Sequence, residues 1–96
     1  MRGVPNQIIN LVKNHQVLFS GKARHQLDIG VFDTDDLIHS VLYGKLVKKE
    51  RDEQQVSRYK YTIVGSSRSG ISIYSCGKMI SLFKKAYFII TFHETR

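Results

Sequence analysis

Asp33-Thr34-Asp35-Asp36-Leu37-Ile38-His39-Ser40-Val41-Leu42-Tyr43-Gly44 is the stretch of this 96-residue chain at which the hydrophobic period changes. Leu37, Ile38, Val41 and Leu42 fall at helical spacing and make one apolar stripe. Asp33 or Thr34 offers an N-cap oxygen, and Asp35 and Asp36 set negative charge at the positive end of the helix dipole. The pattern predicts a helix over 34–43, stopped by Gly44 in a left-handed conformation. Beyond Gly44 the period becomes 2. Helices before this point and strands after it predict an α+β domain.

Downstream, residues 46–51 and 57–65 are strand candidates joined by the polar stretch Asp52-Glu53-Gln54-Gln55. In the second, Arg58, Lys60, Thr62 and Val64 alternate with Tyr59, Tyr61 and Ile63, so cations face one way and aromatics the other. Ser66-Ser67-Arg68-Ser69-Gly70 has turn composition. A third strand follows over 71–82, bent or bulged at Gly77. Phe83-Lys84-Lys85-Ala86 forms the next turn, and 87–93 a last strand with Phe88, Ile90 and Phe92 on one face. Upstream, Pro5 suits the first turn of a helix over 5–15 that turns Ile8, Leu11, Val12 and, at its end, His15 inward, with Asn10, Lys13 and Asn14 outward. Val17-Leu18-Phe19 is apolar and extended in character, and Ser20 caps a short helix over 22–28 carrying Ala23 and Leu27 inward. The expected architecture is two to three N-terminal helices packed on a four-stranded antiparallel sheet. The other sheet face is left to solvent or a partner.

The length allows one domain, 1–96, and the 42% apolar content supports a modest core. Cys76 is the only cysteine, so no internal disulfide forms, which favours a reducing, cytoplasmic compartment. One cysteine and four scattered histidines give no zinc-finger spacing. No apolar run approaches the roughly 18 residues of a membrane span, and the N-terminus lacks signal-peptide character. Fifteen Lys and Arg against eight Asp and Glu give a net charge of +7. Arg2, Lys13, Lys22 and Arg24 balance Asp28, Asp33, Asp35 and Asp36, so the whole surplus lies in residues 45–96. A polyanion such as RNA is therefore expected across the sheet, near Arg58, Lys60, Lys78 and His93.

Several segments together carry a family resemblance: Ser20-Gly21-Lys22-Ala23-Arg24-His25-Gln26-Leu27, Asp35-Asp36-Leu37 through Tyr43-Gly44-Lys45-Leu46-Val47, and Arg58-Tyr59-Lys60-Tyr61. To these are added the Tyr74 to Gly77-Lys78 stretch and Tyr87-Phe88-Ile89-Ile90-Thr91-Phe92-His93-Glu94. From Phe19 to Glu94 the chain resembles the bacterial domain-of-unknown-function family numbered 4258. The resemblance implies a fold like the RelE/BrnT toxins, many of which are metal-independent endoribonucleases (mRNA interferases). It further implies RNA as substrate, free or on the ribosome, and an acidic or zinc-binding antitoxin as partner. No membrane, metal or small-molecule cofactor is called for. The chain departs from the family where Lys22 stands in place of a His before Ala, and an ordinary lysine is a poor proton carrier near neutral pH.

Metal-free RNA cleavage needs a base, an acid and cations for the charge that develops on the phosphorus. His93 and Lys78 are the catalytic candidates: His93 for its place beside Thr91 on the last strand, Lys78 for the glycine before it. Lys22, Arg24, Arg58 and Lys60 are candidates for phosphate contacts, and Tyr59 and Tyr61 for base stacking. Solvated strand charges, core tyrosines and a chain-end histidine would produce the same pattern. The residues thus leave open a toxin endoribonuclease, a non-catalytic RNA- or partner-binding module of the same fold, and a basic face that only docks an acidic partner.

Overall fold

The computed structural model describes residues 2–53, 58–81 and 83–95. In chain order the elements are β1 (Arg2–Gly3), α1 (Asn6–Lys13), β2 (Val17–Phe19), α2 (Gly21–Ile29) and α3 (Thr34–Leu42). They continue with β3 (Lys45–Arg51), β4 (Tyr59–Ser66), β5 (Ser72–Ser81) and β6 (Lys85–Glu94). The α+β class and the meander β3-β4-β5-β6 are as expected, but the sheet has six strands, ordered β1-β3-β4-β5-β6-β2. The two added strands are edges: β1 pairs antiparallel with β3, and β2 runs parallel to β6.

Local chemistry sets the helix ends. Pro5 is the N-cap of α1 rather than its first residue, and its carbonyl accepts from the N–H groups of Ile8 and Ile9. The helix closes by a Schellman pattern in which Gln16 N–H donates to Leu11 O at 2.8 Å and His15 N–H to Val12 O at 3.0 Å. His15 takes the left-handed position with φ 59°. It therefore lies outside the inward stripe. Ser20 caps α2 as expected, accepting from Ala23 N–H and donating to Ile90 O at 2.5 Å, which fixes the helix against β6. In α3, Asp33 and Asp36 form a reciprocal capping box.

All three helices lie on one face of the sheet: α3 over β4 and β5, α1 against α3 and β6, α2 against β6 and β2. Ile8, Val12, Ala23, Leu37 and Val41 from the helices meet Tyr61, Ile63, Ile73, Tyr87, Ile89 and Phe92 from the sheet. Gly44 does not adopt the left-handed conformation expected of it. A Cβ there would come within 2.8 Å of Val64 O, and one at Gly65 within 3.0 Å of Gly44 Cα, so the pair lets the end of α3 touch β4 backbone to backbone. Gly77 gives way to the Tyr87 ring, whose atoms would lie 2.6 Å from an added Cβ.

The register shift expected at Gly77 falls between Cys76 and Gly77, but the extra residue is Ile90 on β6. That bulge brings Phe92 onto the face of Tyr87 and Ile89, so Phe88, Ile90 and Phe92 do not form one row. A second shift, between Leu46 and Lys48, makes Val47 the extra residue of β3. Among the described residues no helix is long and apolar enough to cross a membrane.

A cationic and aromatic cleft as the candidate site

The structure does not assemble the expected catalytic pair. His93 is exposed and stacks on Tyr74, with ring centroids 4.7 Å apart and planes 25° apart. Lys78 lies four residues along β5 from Tyr74, about 13 Å at ordinary strand rise. Its ammonium donates to Asp52 Oδ2 at 2.9 Å, with the two side chains only 15% and 4% exposed. A lysine committed to a buried carboxylate is not available to a phosphate.

The expected RNA contacts also divide. Lys22 and Arg24 are exposed on α2 in the helix layer, while Lys60 lies on the sheet face opposite the helices. There Lys60, Glu50 and Lys48 surround Cys76. Burial pushes the Cys76 thiol up, against the opposing pull of Lys60, so it stays protonated. Lys48 pairs with Glu50 at 3.4 Å. Tyr61 is buried in the core beside a small hollow, and burial followed by the proximity of Tyr59 raises its hydroxyl pKa.

Arg68 is committed to the turn after β4. Its backbone N–H and Nε both donate to Asp36 Oδ1 at 3.1 Å, and a terminal nitrogen donates to Asp33 Oδ2 at 2.7 Å. Burial pushes the Asp36 carboxyl up. The N–H groups of Arg68 and Asp33 and the Arg68 guanidinium outweigh that and hold it below 3.8.

Four further cations lie toward the other end of the helix-covered face. The Val47 bulge turns Lys49 and Arg51 toward the tyrosines: Lys49 Nζ stands 4.4 Å from the Tyr59 ring centroid, and the Arg51 guanidinium carbon 6.0 Å. Arg58 Nη1 donates to Met79 O at 2.9 Å, which fixes the guanidinium between two hollows. One, of about 110 Å³, is bounded by Tyr59 and Tyr61. The other, of about 380 Å³, lies between α1 and the paired ends of β5 and β6, with Lys85 on its rim. Arg58 thus borders both hollows, with Lys85 on the larger one and Lys49 and Arg51 over the half-exposed Tyr59 that bounds the smaller. Of the expected contacts, Arg58, Tyr59 and Tyr61 border them.

Lys49 and Arg51 escaped sequence reasoning because a bulge cannot be read from strict alternation, and Lys85 because it was assigned to a turn although β6 begins with it. Gln7, Asn10 and Asn14 of α1, which also line the larger hollow, recur at i, i+3 and i+7, a visible stripe that looks like an ordinary solvent face. Among the described residues no group of three His, Cys, Asp or Glu side chains could hold a metal ion.

Fold and site define a small α+β domain with an open cationic cleft rimmed by tyrosine. The chain matches no family model, no curated protein and no solved structure.

Proposed function

We propose that this protein binds single-stranded RNA in the Arg58 cleft, without cutting it. The supporting observation is the Arg58 guanidinium, held by Met79 O between an aromatic hollow and a larger one walled by α1, with Lys85 on the larger and Lys49 and Arg51 over Tyr59. A fixed fork of this kind grips phosphate. Tyr59 offers a face for an unstacked base. The hollows suit single nucleotide units rather than a duplex. The endoribonuclease and toxin reading implied by the RelE/BrnT resemblance is the less favoured one, because His93 and Lys78 lie apart and Lys78 is neutralised. A cytoplasmic site of action and an acidic, antitoxin-like competitor for the same cations belong to this proposal.

Fluorescence anisotropy with a labelled RNA strand tests it. Four engaged cations give a slope of log K against log salt of about −3, and Arg58→Ala makes it shallower by about 0.7. Affinity indifferent to salt, or unchanged in Arg58→Ala, refutes the reading. Cleavage of the RNA, with or without ribosomes, that is lost in His93→Ala would restore the toxin reading.

A further inference from the structure

We infer that the larger hollow reads one unpaired base, and that the base is adenine; this rests on the RNA reading above. Three kinds of chemistry converge there. Gln7, Asn10 and Asn14 line the wall contributed by α1, each amide offering one acceptor and two donors. Leu11 and Met79 supply apolar surface on which a flat ring can lie. Arg58 and Lys85 supply cations for an attached phosphate. A nucleotide has these three parts: an edge of donors and acceptors, an apolar face and an anion. The volume of about 380 Å³ is near the lower end of the roughly 300–1,000 Å³ usual for small-molecule sites.

An amide stripe on a helix is often only a solvent face. Here it faces a concavity, and the helix cannot turn it away. Ile8 and Val12 on the opposite side are buried in the core. The end of α1 is locked by the Schellman bonds of His15 and Gln16, and Gln16 Nε2 donates to Lys85 O at 3.0 Å, joining the helix end to the rim strand. The wall is therefore preorganised.

Adenine follows from matching the groups. Its N6 donor and N7 acceptor lie side by side and meet the acceptor and donor of one Asn or Gln amide, whereas the two adjacent acceptors of guanine call for Arg or Lys. In this hollow three amides are offered to a base edge, while one nitrogen of Arg58 is already taken by Met79 O. A pyrimidine offers less ring to the Leu11 and Met79 surface.

Equal-length oligo-A, oligo-U and oligo-C, titrated into the full chain, test the inference. Oligo-A should bind about tenfold more tightly than oligo-U or oligo-C. Asn10→Ala and Asn14→Ala should bring oligo-A to the level of the others while leaving the salt slope unchanged. Alanine favours the helix at position 10, and the Asn14 C-cap has negative φ that alanine also adopts, so the fold is retained. Arg58→Ala should weaken all three oligomers equally. Equal affinities in the parent protein, or an oligo-A preference that survives both Asn substitutions, overturn the base reading while RNA binding stands. If none of the oligomers binds, the RNA reading fails and the base reading with it.

Discussion

Replacing Lys78 with methionine separates a structural lysine from a chemical one. The substitution keeps the length of the side chain and removes its charge, so the 4% exposed Asp52 loses its contact with the Lys78 ammonium. Removing one member of a buried pair costs about 3–5 kcal/mol. Lys78 is 15% exposed, so water can reach part of the pair and the lower figure applies, about 3 kcal/mol. For a domain of this size that lowers Tm by about 12–24 °C and removes a large part of a total stability of about 5–15 kcal/mol. Urea unfolding followed by circular dichroism measures it. The double variant Lys78→Met with Asp52→Asn removes both charges while keeping a polar side chain at 52, and should recover part of the loss. RNA affinity of folded Lys78→Met, measured at low temperature, should equal that of the parent. A stable Lys78→Met that has lost RNA binding or cleavage would refute the argument and return Lys78 to the site.

His15→Gly should stabilise the protein by about 0.5–1 kcal/mol, raising Tm by roughly 4 °C, because His15 bears a Cβ in the left-handed region; a thermal melt decides it. Asp36 sets an acid limb. Its folded pKa lies below its unfolded value near 3.8, so its contribution is complete above that value and is lost as pH falls through the folded pKa. Urea midpoints taken from about pH 5 downward should fall less steeply in Asp36→Asn than in the parent; equal slopes would remove Asp36 from the account.

Legibility in the sequence followed the range of the interactions involved. The α3 N-cap, narrowed to Asp33 or Thr34, and the Ser20 cap of α2 act within three residues and could be read directly. So could the meander, since each strand from β3 onward is long enough to show its period. The edge strands were not countable as strands, because two residues at β1 and three at β2 carry no period. Lys78 looked available because Asp52, its partner, lies 26 residues away, and Arg68 looked like turn composition because Asp36 lies 32 residues away. Gly44 was recognised as the place where α3 stops but given the wrong reason. It is there for the contact of two backbones, which only the packed structure displays.

The two bulges connect these local errors to the position of the site. Ile89 and Phe92 are three residues apart, yet both are buried on the helix-covered face. A regular strand cannot place residues at odd spacing on one face, so the ladder admits Ile90 as an extra residue. Without it Phe92 would leave the core, where its ring meets Phe32 edge-on at 6.5 Å, and His93 would enter. On β3 the same device acts at Val47. Strict alternation from Leu46 would set Lys48 and Glu50 against Tyr61 and Tyr59, with a carboxylate beside the cleft. The inserted residue sets Lys49 and Arg51 there and sends Lys48 and Glu50, paired with each other, to the opposite face. The Lys48–Glu50 pair on the opposite face and the cations on the cleft face are thus two results of one insertion. Deleting Val47 would exchange them, which is why the cationic surface lies under the helices' end rather than across the open sheet.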